Sequence, residues 1–198
     1  MSTFFNKILN LIMPEREDYS RIKNLKQLTG SVNFVSLNNL NVLYLLEFKN
    51  PLVRAAIHET KFHDTLKAQS LLGGVMDNFL TSSSKQYDVI IPMPLARVRQ
   101  KKRGFNQIER ILKQANIKYD PSVLRREDRP PQTTLSREER LKNVAGAFSV
   151  ATEKAPVIAG AHILLIDDVV TTGATLQAAQ ATLAPLSPAS ITCLALAH

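Results

Sequence analysis

Two adjacent carboxylates, Asp167 and Asp168, followed by Val169, Val170 and then Thr171, Thr172, Gly173, Ala174 and Thr175, are the residues whose types and spacing could do chemistry. The acids close an apolar run, residues 163–166, of the kind a strand buried on both faces shows. They therefore sit at its carboxyl end, where open α/β sheets gather their loops around a ligand. Small residues and hydroxyls come next, Gly173 is able to take a positive φ, and Leu176 opens a helical pattern. Such a loop aims several backbone N–H groups and the positive end of a helix dipole at one point, which suits a phosphate monoester. Two carboxylates would repel that phosphate, so their partners are donors or a cation: ribose hydroxyls, or Mg2+. A sugar phosphate satisfies both halves. Read alone, the acid pair also fits a receiver domain, a haloacid-type phosphatase or a strand whose last acid caps the next helix.

The elements that must position these residues follow from the periodicity. Residues 32–46 read as one or two strands around an asparagine-rich turn. From Pro51 the period becomes helical, and two helices run on to the serines 82–84. Residues 87–91 form a short β-branched strand that Pro92 and Pro94 stop, and residues 105–116 are helical. Val123 and Leu124 make a brief strand, residues 147–150 another, and residues 155–160 a linker. The run 163–166 is the central strand, residues 176–186 a helix, and residues 190–197 the last strand. Strands alternating with helices imply an α/β fold with an open, mostly parallel sheet flanked by helices. A small N-terminal subdomain is expected over residues 1–42, with the main domain over 43–198.

Composition narrows the partners. In 198 residues, 25 Lys and Arg stand against 17 Asp and Glu, a net charge of +8 that favours anionic ligands such as nucleotides, pyrophosphate or nucleic acid. Cys193 is the only cysteine, which rules out intramolecular disulfides and cysteine-rich zinc modules, fits a reducing cytoplasm, and reads as core. No apolar stretch approaches the roughly 20 residues of a membrane span. Phe4, Phe5, Ile8, Leu9, Leu11 and Ile12 recur at near-helical spacing before Pro14, so the N-terminus reads as a short helix packed on the body or on a partner. His58 and His63, five residues apart, do not share a helix face and are expected to be packed or solvated rather than metal ligands.

The basic run Arg97, Arg99, Lys101, Lys102 and Arg103 is expected as a loop after the strand 87–91, opening on the same edge as the two acids. Residues 125–143 are highly charged, interrupted by Pro130 and Pro131, with Ser136 and Glu139 spaced as a capping box. That segment cannot bury itself and is expected to act as a lid.

Four apolar residues, two acids, two apolar residues and T-T-G-A-T resemble the phosphoribosyl pyrophosphate (PRPP) motif of type I phosphoribosyltransferases. The resemblance implies that Asp167 and Asp168 hold the ribose hydroxyls while residues 171–175 hold the 5'-phosphate, with Val169 and Val170 completing the PRPP-binding stretch. Arg103 to Gln107, R-G-F-N-Q, with Gln132, Leu135, Ser136, Arg140 and Asn143, narrow it to the ComF family, phosphoribosyltransferase-like proteins associated with bacterial DNA uptake. It covers roughly Leu43 to the C-terminus. Members usually begin with a zinc-binding module carrying paired cysteines, which this chain lacks.

This resemblance implies an enzyme of nucleotide metabolism, a glycosyltransferase that moves a phosphoribosyl group from PRPP to an acceptor and releases pyrophosphate. Arg97, Arg99, Lys102 and Arg103 are the expected pyrophosphate cations, with Mg2+ held mainly through the ligand and within reach of Asp167 and Asp168. Arg137 and Arg140 are expected to join the two acids as catalytic residues when the lid closes. Nothing in the sequence specifies the acceptor, and no residue stands out as general base. The alternative is a non-catalytic, cytoplasmic accessory protein of competence that binds single-stranded DNA or a nucleotide regulator beside the DNA-uptake machinery. Aromatics at 6% favour phosphate recognition over base stacking.

Overall fold

The computed structural model describes residues 15–126 and 146–198. The N-terminal helix expected over residues 4–12, the capping box at Ser136 and Glu139, and most of the expected lid lie outside the described residues.

Five strands form one sheet in the order β1-β2-β7-β6-β3: β1 (Asn33–Leu37), β2 (Leu40–Leu46), β7 (Ser190–Ala197), β6 (His162–Val169) and β3 (Val89–Pro92). β1 pairs antiparallel with β2, and every other pairing is parallel. The hairpin turn uses Asn38 and Asn39 at φ 50 and 66, the left-handed conformations that a two-residue turn between twisted strands requires. The domain boundary expected after residue 42 falls inside β2, where Val42 and Leu43 pair with the consecutive residues Cys193 and Leu194 of β7.

β6 lies between β7 and β3 and is apolar on both faces, as its sequence predicts. Leu164 and Ile166 point into a core made with helices α2 (Pro51–His63), α3 (Leu66–Ser82) and α5 (Gln107–Gln114). Ile163 and Leu165 point into the opposite core, made with helix α7 (Ala174–Leu183) and the short turn α6 (Ala155–Ile158), where a linker was expected. Cys193 belongs to that second core, and burial pushes its thiol up to about 12, which makes it inert.

The remaining strands, β4 (Leu124–Arg126) and β5 (Phe148–Val150), stay out of the main sheet and pair with each other as an antiparallel ribbon. At the other end of the described chain, helix α1 (Glu17–Ile22) packs on α2. Arg16, just before α1, grips the fully buried Glu59 of α2 with two hydrogen bonds of 2.9 and 2.7 Å, and Thr65 adds a third. Burial alone would raise the Glu59 carboxyl, but the bonds from Arg16 and Thr65 outweigh it and hold it below the usual range.

The basic run is a helix rather than a loop: α4 spans Arg97–Arg103. Arg, Gln and Lys are good helix formers, and nothing in the seven residues breaks the pattern before Gly104, which ends the helix at φ 81. Three cations in its last turn also complement the helix dipole.

Candidate functional site

The carboxyl ends of β3 and β6 open into a cavity of about 560 Å³. Successive residues of a strand face opposite ways, so Asp167 and Asp168 diverge at its floor. Asp168 follows Leu164 and Ile166 toward α2 and α5 and is 8% exposed. There its Oδ2 accepts from Lys61 Nζ and from Gln107 Nε2, each at 2.9 Å, and its Oδ1 takes the Val169 N–H at 2.8 Å. Among the described residues Asp167 accepts the Asp168 N–H, at 2.9 Å on Oδ1, which leaves Oδ2 for a ligand. Burial, and then the charge of Asp168, push the Asp167 carboxyl up to about 7 against the pull of the Asp168 N–H and of Lys61. The two acids are therefore unequal: one is tied to the protein and the other is available.

Beyond β6 the chain turns into α7 at Gly173, whose φ of 74 excludes most side chains. A Cβ there would also stand 3.1 Å from the Cβ of Leu37. The hairpin turn clasps this loop, since Asn38 Nδ2 donates to the Thr172 carbonyl at 3.0 Å and Gln177 Nε2 donates to the Asn38 carbonyl at 3.1 Å. Thr171 and Thr175 line the cavity together with Val169. Ala174 is the first residue of α7, and Val170 is buried in the second core with its N–H bonded to Ala197.

On α4 the helical spacing sorts the cations. Arg99 and Arg103, four residues apart, share a face and line the cavity, whereas Arg97 and Lys102 are not among its walls. Each residue of R-G-F-N-Q has a task. Arg103 donates to Gln107 Oε1 and lies 5.6 Å from the ring of Phe62. Gly104 ends α4, and Phe105 stacks under Arg110 at 5.5 Å. Asn106 caps α5 by accepting the Ile108 N–H and bonds the Met93 carbonyl just past β3, and Gln107 holds Asp168. The Arg103 guanidinium sits below its ordinary value because burial, with help from Arg99, outweighs the charge of Asp168.

Three polar side chains of α2 line the cavity beyond the residues that the sequence marks for it. Arg54, His58 and Lys61 lie at i, i+4 and i+7 of α2, one face of a helix, and that spacing was the available signal. His58 and His63 touch as edge-on rings 5.8 Å apart, and His58 pairs with Asp18 at 2.9 Å. No group of three or more His, Cys, Asp or Glu able to hold a metal exists among the described residues. Arg126 lines the cavity from the β4 ribbon. Arg137 and Arg140, with the motif residues Gln132, Leu135, Ser136 and Asn143, lie outside the described residues.

Comparison with known proteins bears on the same segments. Residues 101–198 match the family model described as the phosphoribosyl transferase domain. Competence protein F of Haemophilus influenzae is 35% identical over 119 residues, 58% of this chain and 52% of that protein. Competence protein ComFC of Streptococcus pneumoniae is 36% identical over 109 residues, 54% of this chain and 47% of that one. The chain is similar to the ComF family of phosphoribosyltransferase-like proteins. The DNA utilization protein YhgH of Escherichia coli is 32% identical over 135 residues, 63% of this chain and 58% of its own. The chain thus spans about half the length of the curated relatives it matches. Among solved structures, a glutamine PRPP amidotransferase from B. subtilis superposes with a TM-score of 0.45 at 14% identity, covering 70% of this chain and 30% of that one, too loose a likeness to bear on function. No helix among the described residues is long and apolar enough to cross a membrane.

Proposed function

We propose that the cavity binds PRPP and that the protein transfers the phosphoribosyl group to an acceptor. The observation that carries this reading is the cavity's division of charge: an acid pair and a glycine-turned helix start on one side, with Arg99, Arg103 and Lys61 facing them. Residues 171–175 would receive the 5'-phosphate on backbone N–H groups, and Asp167, with Asp168 behind it, would accept from the ribose hydroxyls. Arg99 and Arg103 would neutralise the pyrophosphate.

The donor set fits Mg2+ in its usual manner, one or two carboxylates with the rest of the sphere supplied by ligand oxygens and water. When bound, Mg2+ supplies charge neutralisation for the departing pyrophosphate. The protein's own part is orientation. Lys61 and Arg103 are already held by Asp168 and Gln107, and cations positioned in advance are where electrostatic stabilisation of a leaving anion comes from.

A thermal melt tests the ligand assignment. PRPP with Mg2+ should raise the melting temperature, and Asp168→Asn should abolish the rise; no shift for the unmodified chain sinks the assignment. Pyrophosphate release over a panel of acceptors then tests transfer. The names of the relatives, competence and DNA utilization proteins, favour a second reading in which the same fold serves DNA handling without transfer. Silence across the acceptor panel, beside salt-sensitive binding of single-stranded DNA that Arg99→Ala and Arg103→Ala weaken, would establish that reading.

A further inference from the structure

We infer that the cavity holds a second anion subsite, centred on Arg54, that takes the carboxylate or phosphate of a flat apolar second ligand. This rests on the PRPP reading of the rest of the cavity and names the class of molecule that would sit beside the donor.

The placement of α2 carries the argument. Phe48, just past β2, donates its N–H to the carbonyl of His198 at the end of β7. From there α2 runs across the carboxyl edge of the sheet until Lys61 reaches Asp168 on β6 and Phe62 meets Arg103 of α4. Seven residues of helix separate Arg54 from Lys61, about 10 Å along the axis. The cavity therefore has cations on two sides of its acids. Arg99 and Arg103 stand on the β3 side, and Arg54 stands on the β2 side.

These cations are committed differently. Lys61 is paired with Asp168 and Arg103 with Gln107, while the guanidinium of Arg54, like that of Arg99 on the far side of the acids, has no hydrogen-bond or ion-pair partner among the described residues. The cavity is also lined by Phe48, just before α2, and by Ile57 and His58, three and four residues along α2 from Arg54, with His58 Nδ1 already held by Asp18. A planar apolar body fits between such walls, and an uncommitted guanidinium presents a fork of donors matched to a carboxylate or phosphate. A neutral nucleobase would need amide or hydroxyl partners for its edges. Gln107, the cavity's amide, is spent on Asp168 and Arg103, and the cavity's side-chain hydroxyls, those of Thr171 and Thr175, belong to the loop after β6 and the first turn of α7 rather than to α2.

The probes are benzoate and phenyl phosphate, with benzamide as the neutral control, titrated into the full chain at saturating PRPP and Mg2+. Either anion should raise the melting temperature further while benzamide does not. Arg54→Gln should weaken the anion increment at least tenfold and keep the PRPP shift; Arg54→Lys should restore part of the increment. Equal effects of anions and benzamide, or an increment that survives Arg54→Gln, would overturn the inference. Loss of the PRPP shift itself in Arg54→Gln would also overturn it, because Arg54 would then belong to the donor's site. If PRPP gives no shift in the unmodified chain, the donor reading fails, and the same anion titration without PRPP still decides the subsite.

Discussion

The wall that β6 and its loop give to the cavity comes from one consecutive stretch, residues 167–175, whereas the wall facing it takes Arg54, His58 and Lys61 from α2, Arg99 and Arg103 from α4 and Gln107 from α5. The first wall is rigid because its strand is paired on both edges and buried on both faces. The second depends on three helices keeping their places, and it meets the first at a single atom, Oδ2 of Asp168, where Lys61 and Gln107 converge. Recognition of a sugar phosphate thus falls to the contiguous wall, and the charge balance around it to Lys61, Arg99 and Arg103 of the assembled one.

The largest effect is expected where the walls meet. Asp168→Ala leaves Lys61 and Gln107 facing each other without their shared acceptor. Removing one partner of a buried pair costs about 3–5 kcal/mol, and the remaining exposure of Lys61 reduces that to about 1–3 kcal/mol. The PRPP shift should vanish as well. A variant that melts like the unmodified chain would show that the two walls are energetically independent.

Gly173→Ala attacks the contiguous wall alone. A non-glycine residue in the left-handed region costs about 1–2 kcal/mol, and the new Cβ would press on Leu37. Stability should fall by about that amount, and affinity for ribose 5-phosphate should fall more than tenfold, because the clasp between hairpin and loop has to open. Unchanged affinity would separate the phosphate site from this turn.

These two walls differed equally in how far the sequence disclosed them. The order apolar run, acids, small polar loop, helix is local, so β6, Asp167, Asp168 and the turn at Gly173 could be read directly. The parallel sheet and the last strand, 190–197, followed from the same periodicity. Lys61 shares a helix face with Arg54 and His58, a spacing present in the sequence, but its role depends on α2 crossing the carboxyl edge of the sheet, which no local pattern specifies. Arg97 to Arg103 was read as a loop because its charge masked its helix propensity, and the helix is what leaves Arg97 and Lys102 off the cavity. The motif R-G-F-N-Q carries a family resemblance in sequence, but that Asn106 caps α5 and Gln107 holds Asp168 is set by the fold.

A pH series sharpens the inequality of the two acids. The folded Asp167 lies at about 7, above the value of about 3.9 for an unfolded aspartate. The folded chain therefore binds this proton more tightly. Its stabilising contribution is full below pH about 4, declines as pH rises toward 7, and is lost above. Ribose hydroxyls donate to an ionised carboxylate, so PRPP affinity should move the other way and rise through the same window. Asp167→Asn should flatten both curves. Curves that keep their slopes in that variant would assign the titration elsewhere.

The smallest effect tests whether the contiguous wall is self-sufficient or needs the hairpin that clasps it. Asn38 donates to the Thr172 carbonyl from an exposed turn, a bond whose net worth is about 0.5–1.5 kcal/mol. Because Asn38 sits at φ 50, alanine would add backbone strain and confuse the result, whereas glycine keeps the conformation and removes only the amide. Asn38→Gly should lower the melting temperature slightly, about as far as one exposed hydrogen bond allows. Affinity for ribose 5-phosphate should drop several-fold, because Thr172 and the N–H groups after it lose the strut that orients them. If affinity holds while stability falls, the hairpin only covers the sheet edge and the loop sets its own geometry; if both fall together, a turn far away in sequence is a positioning element of the phosphate site.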